Sequence, residues 1–324
     1  MDPRERNFIY SALGEDPELN KSYAIYPYEM ARYADSVEKL AQVQSFVDSA
    51  NDAGRKAVLF LAHDTDFPMT KFITGETISF RYSMSKSHTY TNEFMIPPKI
   101  DGYVAQLGSY PNLPWSATPK VSFMGFSMVV KPQVEDIKNG ATAPKDDKGN
   151  VRGLISPQVF QTPALIGAVL RKRAVEIIEK DERIESNFLM RQQYYFHFSE
   201  EFQNATRGEY IKSMRDTHYV LAFRGCGNYS IRLFETLASA RLPIQLDTNQ
   251  HLPFEDLINW QEVGIWVPLP KLSTINDEVL NFHAGMSESE YQAKCDHAEE
   301  IYNDYLSRSA VVGQVRRILE SQTS

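Results

Sequence analysis

The fold is set by the stretch from Tyr219 to Trp260, which reads YVLAFRGCGNYSIRLFETLASARLPIQLDTNQHLPFEDLINW. It begins with an apolar run and continues into a turn that contains Gly225 and Gly227. The spacing predicts a helix over 231–240 and then a second apolar strand that ends at Asp247. A strand, a glycine turn, a helix and a strand in this order are typical of a parallel sheet that presents backbone N–H groups to a phosphate.

Composition limits the class of protein. The chain has 324 residues, of which 42% are hydrophobic and 23% charged, and its formal net charge is −8. These values indicate an ordinary globular protein and disfavour a nucleic-acid partner, which needs a basic surface. The sequence has no apolar run long enough for a membrane span and no signal-peptide core, and its two cysteines, Cys226 and Cys295, predict no disulfide. We therefore expect a cytoplasmic protein.

Strands alternate with helices along the chain, which predicts an α/β fold with parallel sheets. The run Ala57–Ala62 is a buried strand in this interpretation, and 121–126 is the first strand of a second unit. We predict two Rossmann-like domains that face a cleft, over residues 1–114 and 115–285. Residues 286–324 are predicted to form helices that pack back on the first domain. The boundary between the two domains is marked by three prolines, Pro111, Pro114 and Pro119.

The turn after the Tyr219 strand has the features of a phosphate site. Gly225 and Gly227 allow the backbone to approach a ligand closely, and Asn228 and Ser230 are good N-cap residues for the helix that follows. Arg224, at the end of the strand, could add a bidentate contact to phosphate oxygens. A purely structural turn, with Arg224 in an ordinary ion pair, fits the same residues equally well.

The helix after the turn carries two charged residues on one face. Arg232 and Glu235 are three positions apart, so they share a face, and Glu235 could bind the ribose hydroxyls of a nucleotide. The alternative is a surface ion pair of small energy. Three further residues complete the predicted site for a sugar donor, namely Gly125 at the end of the 121–126 strand, Tyr229 in the turn and Arg171 across the cleft.

These residues resemble a known family, the exostosin family of glycosyltransferases. The resemblance is most specific over 205–265, where it includes Arg224-Gly225, Ser230-x-Arg232-x-x-Glu235, the strand that ends at Asp247, and Leu252-Pro253-Phe254. It implies a two-domain GT-B architecture and sugar transfer with inversion at the anomeric carbon. It also implies that Arg224 and Ser230 hold the diphosphate of a UDP-sugar, that Arg232 supports it, and that Glu235 binds ribose.

Inverting transfer needs a general base for the acceptor hydroxyl. The best candidates are His63, Asp64 and Asp66, which follow the Ala57–Ala62 strand, and Asp64 is favoured. The same carboxylates could instead cap a turn. Asp64-Thr65-Asp66 also matches the short D-x-D pattern that binds a metal in other glycosyltransferases. We expect no metal cofactor, because the predicted diphosphate site makes one redundant.

The leading hypothesis is an inverting glycosyltransferase that moves a sugar from a nucleotide-diphosphate donor, a UDP-sugar, to a glycan hydroxyl. A non-catalytic protein of the same fold, which binds glycan or a partner protein, is the alternative. A nicotinamide-dependent oxidoreductase is disfavoured, because Gly225-Cys226-Gly227 is followed by Ser230 rather than by the third glycine of the dinucleotide fingerprint. Melting curves against nucleotides and NAD discriminate between these classes.

Overall fold

The computed structural model describes residues 7–30, 37–100, 113–126, 163–191 and 200–323. Within the last two segments, side chains are described from residue 166 and from residue 206, respectively. Two sheets, both entirely parallel, form the framework. The prediction of an α/β fold with parallel sheets is thereby confirmed. The division into domains at 114 and 285 remains a prediction.

The first sheet has four strands, which pair in chain order. They are β1 (Tyr23–Glu29), β2 (Lys56–Leu61), β3 (Thr77–Arg81) and β4 (Glu93–Met95). Three helices belong to this part of the chain, α1 (Phe8–Leu13), α2 (Leu19–Ser22) and α3 (Val37–Asp52). A short 3₁₀ turn, Met69–Lys71, follows β2.

The second sheet has five strands, β5 (Lys120–Phe126), β6 (Glu185–Arg191), β7 (Tyr219–Leu221), β8 (Leu242–Asp247) and β9 (Ile265–Pro268). The connecting helices are α4 (Pro163–Ile178), α5 (Glu200–Arg215) and α6 (Ile231–Ala238). The chain closes with α7 (Ile275–Ala284), α8 (Glu288–Ile301), a π-helical turn (Tyr302–Leu306) and α9 (Arg308–Ser321). Short 3₁₀ helices lie at Trp260–Glu262 and Leu269–Thr274.

The predicted strands at 57–62 and 121–126 and the strand–turn–helix–strand unit after Tyr219 are confirmed. Three strands escaped the sequence analysis, β1, β4 and β6. All three lie at an edge of their sheet, so none shows the continuous apolar pattern of a strand that is buried on both faces. The sequence also makes 102–107 a weaker candidate strand, and this segment lies outside the described residues.

One apolar core runs across both sheets. It contains Phe60 and Phe80 of the first sheet together with Phe123 and Val220 of the second. A separate, smaller cluster lies between the first sheet and α3. The two sheets therefore pack around shared apolar residues. The loops that follow β2 and β3 contact the turn after β7, at the carboxyl end of the second sheet.

The strand order places the site. In the second sheet the spatial order is β6-β5-β7-β8-β9. The chain first passes from β5 to β6 on one side and then crosses to β7 on the other side of β5, so the strand order reverses between β5 and β7. Ligands of open parallel sheets bind outside the carboxyl ends of the strands where this reversal occurs. That position is bounded here by Gly125 and Phe126 at the end of β5 and by the turn after β7.

The C-terminal helices contact the first half of the chain. The Tyr23 hydroxyl, in β1, donates a hydrogen bond to the Leu319 carbonyl, in α9, at 2.7 Å. Arg316 of α9 also forms an ion pair with Asp16, which precedes α2. None of the helices in the described part of the chain is long and apolar enough to cross a membrane.

Candidate functional site

A cavity of about 440 Å³ opens where the strand order reverses. Its walls come from the ends of β5 and β6, from α4, α5 and α6, from the turn after β7, and from Asp64 of the first half. Among the described residues, the charged lining consists of four arginines and two carboxyl groups: Arg171, Arg191, Arg207, Arg232, Asp64 and Glu235. Arginines outnumber carboxyl groups in this described lining, although Arg191 also pairs with Glu209 and the whole chain carries −8.

The glycine turn uses several of its own N–H groups within the protein. Three hydrogen bonds do so: Gly225 N–H to the Tyr229 carbonyl at 2.8 Å, Gly227 N–H to Asp64 Oδ1 at 3.1 Å, and Asn228 N–H to Ser83 Oγ at 2.9 Å. Two of these bonds cross to the first half of the chain. The turn was expected to offer its amides to a phosphate, whereas here these three amides bind protein oxygens.

Ser230 opens α6 with the extended backbone typical of an N-cap residue, at φ −132° and ψ 121°. Its side chain makes no capping hydrogen bond, however, and it lines the cavity together with Ile231. The first N–H groups of a helix carry part of its positive dipole. Because Ser230 does not cap them, the start of α6 adds a positive end to the same cavity.

Arg232 belongs to α6, and its side chain contacts the end of β5. Its Nη2 donates to the Met124 carbonyl at 2.6 Å, and its guanidinium stands over the Phe123 ring at 4.6 Å and the Tyr210 ring at 5.7 Å. A Cβ at Gly125 would come within 2.7 Å of Nη2, so the glycine is what allows this approach. The predicted site residue Gly125 therefore makes room for the predicted site residue Arg232.

Glu235 lies one helical turn further along α6 and is almost completely buried, with 4% of its surface exposed. Its Oε2 accepts a hydrogen bond from the Tyr210 hydroxyl of α5. Burial raises the pKa of Glu235, and the Tyr210 hydrogen bond and the charge of Arg232 oppose that rise. A buried carboxylate with a free approach from a cavity is suited to accept hydrogen bonds from ligand hydroxyl groups.

Arg171 reaches the cavity from α4, where its Nε donates to the Gly167 carbonyl at 2.9 Å. The helix lies very close to the glycine turn: a Cβ added at Gly167 would stand 2.3 Å from the Gly225 carbonyl oxygen and 2.6 Å from that of Arg224. Direct backbone contact at Gly167 thus sets the position of Arg171 relative to the turn.

Asp64, Asp66 and His63 take different places. Asp64 lines the cavity, where it receives the Gly227 N–H and a hydrogen bond from Tyr229. Asp66 instead lies 4.0 Å from His88, and the His63 Nδ1 accepts the Thr65 N–H at 2.9 Å. Among the described residues, neither Asp66 nor His63 contributes to the lining of the cavity.

Arg224 points to the other side of the turn. It lines a very small neighbouring cavity with Asn228 and Tyr229, and its Nη2 donates to the Cys226 carbonyl at 3.3 Å. Burial lowers the pKa of Arg224, and the carboxylates of Asp66 and Asp64 oppose that shift.

The structure brings together nine of the predicted site residues around the larger cavity: Asp64, Gly125, Arg171, Gly225, Tyr229, Ser230, Arg232 and Glu235 line it, and Gly227 binds Asp64. It separates Arg224, Asn228, Asp66 and His63 from that group.

Among the cavity residues that sequence reasoning missed, two are arginines and one is a tyrosine that contacts the charged groups: Arg191, Arg207 and Tyr210. Arg191 ends β6, and that edge strand was not predicted. Arg207 and Tyr210 are three positions apart on α5, so they share a face. The i, i+3 spacing of a basic and an aromatic residue on the helix before the Tyr219 strand is the sequence signal that could have placed these two residues at the site.

A buried ion pair supports the loop that carries Asp64. The Arg81 and Glu93 side chains are both 1% exposed, and Arg81 Nη1 lies 2.5 Å from Glu93 Oε2. Arg81 also donates to the carbonyls of Thr65, at 2.7 Å, and Phe67, at 2.9 Å. Because these carbonyls flank Asp66, the ion pair fixes the backbone of the segment that carries the candidate bases Asp64 and Asp66.

No three His, Cys, Asp or Glu side chains in the described ranges are grouped so that they could hold a metal ion. The two aspartates of Asp64-Thr65-Asp66 have different neighbours, with Asp64 against Gly227 and Asp66 near His88. The arrangement of described side chains thus offers arginines, rather than a carboxylate cluster, to an anionic ligand.

No protein-family model matches the chain, and no curated protein matches it either. The exostosin likeness therefore remains a resemblance. Similar solved structures include TarM, with a TM-score of 0.39, 9% identity and 86% of this chain covered. A mutant of S. aureus TarM in complex with fondaparinux, alpha-GlcNAc-glycerol and UDP gives 0.40, 9% and 86%, and a GtfA/B complex gives 0.37, 12% and 87%.

The chain spans 57%, 58% and 60% of the length of these three chains, respectively. None of the TM-scores reaches 0.5, so the fold class assigned above rests on the strand pairing alone.

Proposed function

We propose that the protein is a glycosyltransferase of the GT-B type that binds a nucleoside diphosphate sugar, a UDP-sugar, in the cavity at the end of β5 and β7. The observation that carries the proposal is the lining of that cavity, in which four arginines and a buried glutamate surround the position where parallel sheets bind nucleotides. Arg171, Arg191, Arg207 and Arg232 take the diphosphate, and Glu235 takes the ribose hydroxyls.

The charge of the cavity matches this ligand. Among the described lining residues, four arginines stand against two carboxyl groups, Asp64 and Glu235, and this excess of positive charge complements the two negative charges of a diphosphate diester. Guanidinium groups bind phosphate oxygens in a bidentate manner, and they stabilise the charge that develops on the leaving diphosphate without a metal ion. The site assignment for the diphosphate thus moves from the amides of the glycine turn to the arginines around it.

Asp64 is the proposed general base. It belongs to the first half of the chain and is a carboxylate of the cavity lining, where its Oδ1 accepts the Gly227 N–H. A base on the far side of the sugar from the leaving group gives inversion, because the acceptor hydroxyl attacks opposite the bond that breaks. Asp64 would take the proton of a glycan hydroxyl while the bond to the anomeric carbon forms.

The binding part of the proposal is tested by calorimetric titration of UDP, GDP and NAD into the wild-type protein. We expect UDP to bind and NAD to give no heat. Arg232→Ala should weaken UDP binding at least tenfold, because it removes a charged hydrogen-bond donor from the cavity. Arg183→Ala is the matched control, since Arg183 is exposed and pairs with Asp181 away from the cavity. Absence of UDP binding by the wild type would refute the proposal.

A non-catalytic role is the second candidate, and one observation favours it. Asp64 already accepts hydrogen bonds from Gly227 and Tyr229, so it also serves as a structural tie between the two halves. Release of UDP from UDP-glucose, UDP-galactose, UDP-N-acetylglucosamine and UDP-glucuronate, each with and without mixed oligosaccharides, separates the two candidates. Tight UDP binding without turnover of any UDP-sugar would favour the non-catalytic protein.

A further inference from the structure

We infer that Tyr210 is a positioning residue of this site, which holds Arg232 with its ring and Glu235 with its hydroxyl. The inference rests on the proposed function and adds a residue from another element, α5, to the two charged groups of α6. It concerns how the cavity distinguishes a nucleotide from a simple anion, because Arg232 faces phosphate and Glu235 faces sugar hydroxyls in the proposed complex.

The guanidinium of Arg232 contacts two aromatic rings, those of Phe123 and Tyr210. Phe123 lies 4.6 Å away and Tyr210 lies 5.7 Å away, and the Met124 carbonyl accepts from Nη2. Cation–π contacts of this kind hold an arginine in a single orientation when solvent is excluded. With Nη2 bound to the strand end, the remaining N–H groups of Arg232 are the ones available to an anion in the cavity.

The contact with Glu235 is made by the phenol. Oε2 accepts the Tyr210 hydroxyl, so Oε1 is the oxygen that would meet a ligand hydroxyl. Arg232, on the same helix, is the charged group that acts directly on Glu235, and Arg171, Arg191, Arg207 and Asp64 line the same cavity. Burial raises the pKa of Glu235, and the phenol is the first group that offsets this rise. Tyr210 thereby orients the carboxyl and favours its ionised form.

Two probes separate the two contacts. Inorganic pyrophosphate tests the arginines alone, and UDP tests the arginines together with Glu235. Tyr210→Phe keeps the ring and removes the hydroxyl. We expect it to bind pyrophosphate like the wild type but to bind UDP about tenfold more weakly at pH 6, because loss of a hydrogen bond to a charged group costs about this much. The UDP affinity of Tyr210→Phe should approach that of the wild type as the pH rises from 6 to 8.5, because the phenol lowers the pKa of Glu235 and a higher pH favours the carboxylate in its absence.

Tyr210→Leu removes both contacts, and it should weaken binding of pyrophosphate and UDP at every pH. Tyr305→Phe is the matched control, because Tyr305 lies in the π-helical turn after α8 and does not line the cavity. A purely structural role would lower the melting temperature of both Tyr210 variants without a pH-dependent difference between the probes.

The inference is overturned if Tyr210→Phe binds UDP with the wild-type affinity and pH profile, or if Tyr210→Leu keeps the wild-type affinity for pyrophosphate. A wild-type protein that binds pyrophosphate but not UDP would instead refute the proposed nucleotide sugar. Loss of pyrophosphate binding on Tyr210→Leu, with Tyr210→Phe unaffected, would then still support the ring contact.

Discussion

At the scale of single residues, Asp64 carries the sharpest prediction. Asp64→Asn keeps an oxygen that can accept the Gly227 N–H, and it removes the ability to take a proton. We therefore expect an unchanged melting temperature and unchanged UDP binding, with sugar transfer reduced about 100-fold or more, the usual contribution of a general base. Asp66→Asn is the control, as Asp66 lies outside the cavity. Equal losses in both variants would argue that the loop, and not Asp64, matters.

The buried pair Arg81–Glu93 makes a prediction about stability. Glu93→Gln keeps the shape of the side chain but leaves the Arg81 charge buried without a counter-charge. Removal of one partner from such a pair costs about 3–5 kcal/mol, so urea unfolding should show a large fall in midpoint. Asp216→Asn, in an exposed pair with Lys212, should change stability by less than about 1 kcal/mol. A small effect of Glu93→Gln would show that Arg81 keeps sufficient hydrogen bonds from the loop carbonyls alone.

Residues that share a helix were easier to predict than residues that meet across elements. The spacing of Arg232 and Glu235 placed both on one face, and both do line the cavity, because helix geometry is local. Arg224 was expected at the same ligand from its position at a strand end. The side to which its side chain turns depends on packing against Asn228 and Tyr229, and a linear pattern carries no information about that packing.

At the scale of elements, the contact between α4 and the glycine turn is the critical one. Gly167→Ala should force α4 away from the Gly225 and Arg224 carbonyls, since the new Cβ would stand 2.3 Å from the nearest oxygen. Overpacking of this kind costs about 1–3 kcal/mol, and UDP binding should weaken because Arg171 moves with the helix. Gly313→Ala in α9 is the matched control: nothing lies within 4 Å of its Cβ, so it should be neutral or stabilising. The melting temperature and the UDP affinity of both variants check this prediction.

The elements that sequence analysis found are those buried on both faces. β2 and β5 are continuous apolar runs and were predicted almost to the residue. β6 is largely exposed, and β1 contains Pro27, so neither matches the buried pattern. Because β6 was not predicted, Arg191 at its end was not predicted as a site residue either. The prediction therefore included only Arg171 and Arg232 of the four arginines in the described lining of the cavity.

At the scale of the whole molecule, two buried histidines fasten the segment that joins the two sheets. His218 Nδ1 accepts the Lys120 N–H at 3.0 Å, and its Nε2 lies 3.1 Å from the Pro114 carbonyl. His283 Nε2 lies 2.7 Å from the Ser116 carbonyl. Since Nδ1 of His218 receives a hydrogen, Nε2 must carry the ring proton and donate to Pro114. The Lys120 bond therefore needs a neutral imidazole at His218, because protonation would place a hydrogen on Nδ1.

Acid should weaken this connection. Burial lowers the pKa of His218 to about 4, from an ordinary value of 6.5, so the unfolded chain takes up the proton first as the pH falls. The free energy of unfolding should then decrease between pH 6.5 and 4. The charged groups near the ring, Lys120, Arg241 and His283, act in the same direction. His218→Asn, which keeps an acceptor for Lys120, should be less stable at pH 7 but show a flatter profile below pH 6.5.

Urea unfolding at closely spaced pH values measures this dependence, and His297→Asn provides the control because His297 is exposed. An unaltered slope in His218→Asn would assign the acid sensitivity to carboxylates. The core shared by the two sheets explains why such a change would be felt throughout the molecule. Alternation of strands and helices predicted two parallel sheets, but it carried no information on how the sheets share a core.

The hydrogen bond between Tyr23 and the Leu319 carbonyl, together with the Arg316–Asp16 pair, has a consequence for biosynthesis. The ribosome adds Tyr23, in β1, 296 residues before Leu319, in the helix that covers this strand. We expect β1 in a nascent chain to remain sensitive to protease until α9 has been synthesised, because long-range contacts form last. Ribosome-stalled chains that end before 308 should then be digested through β1, whereas released chains that include α9 resist.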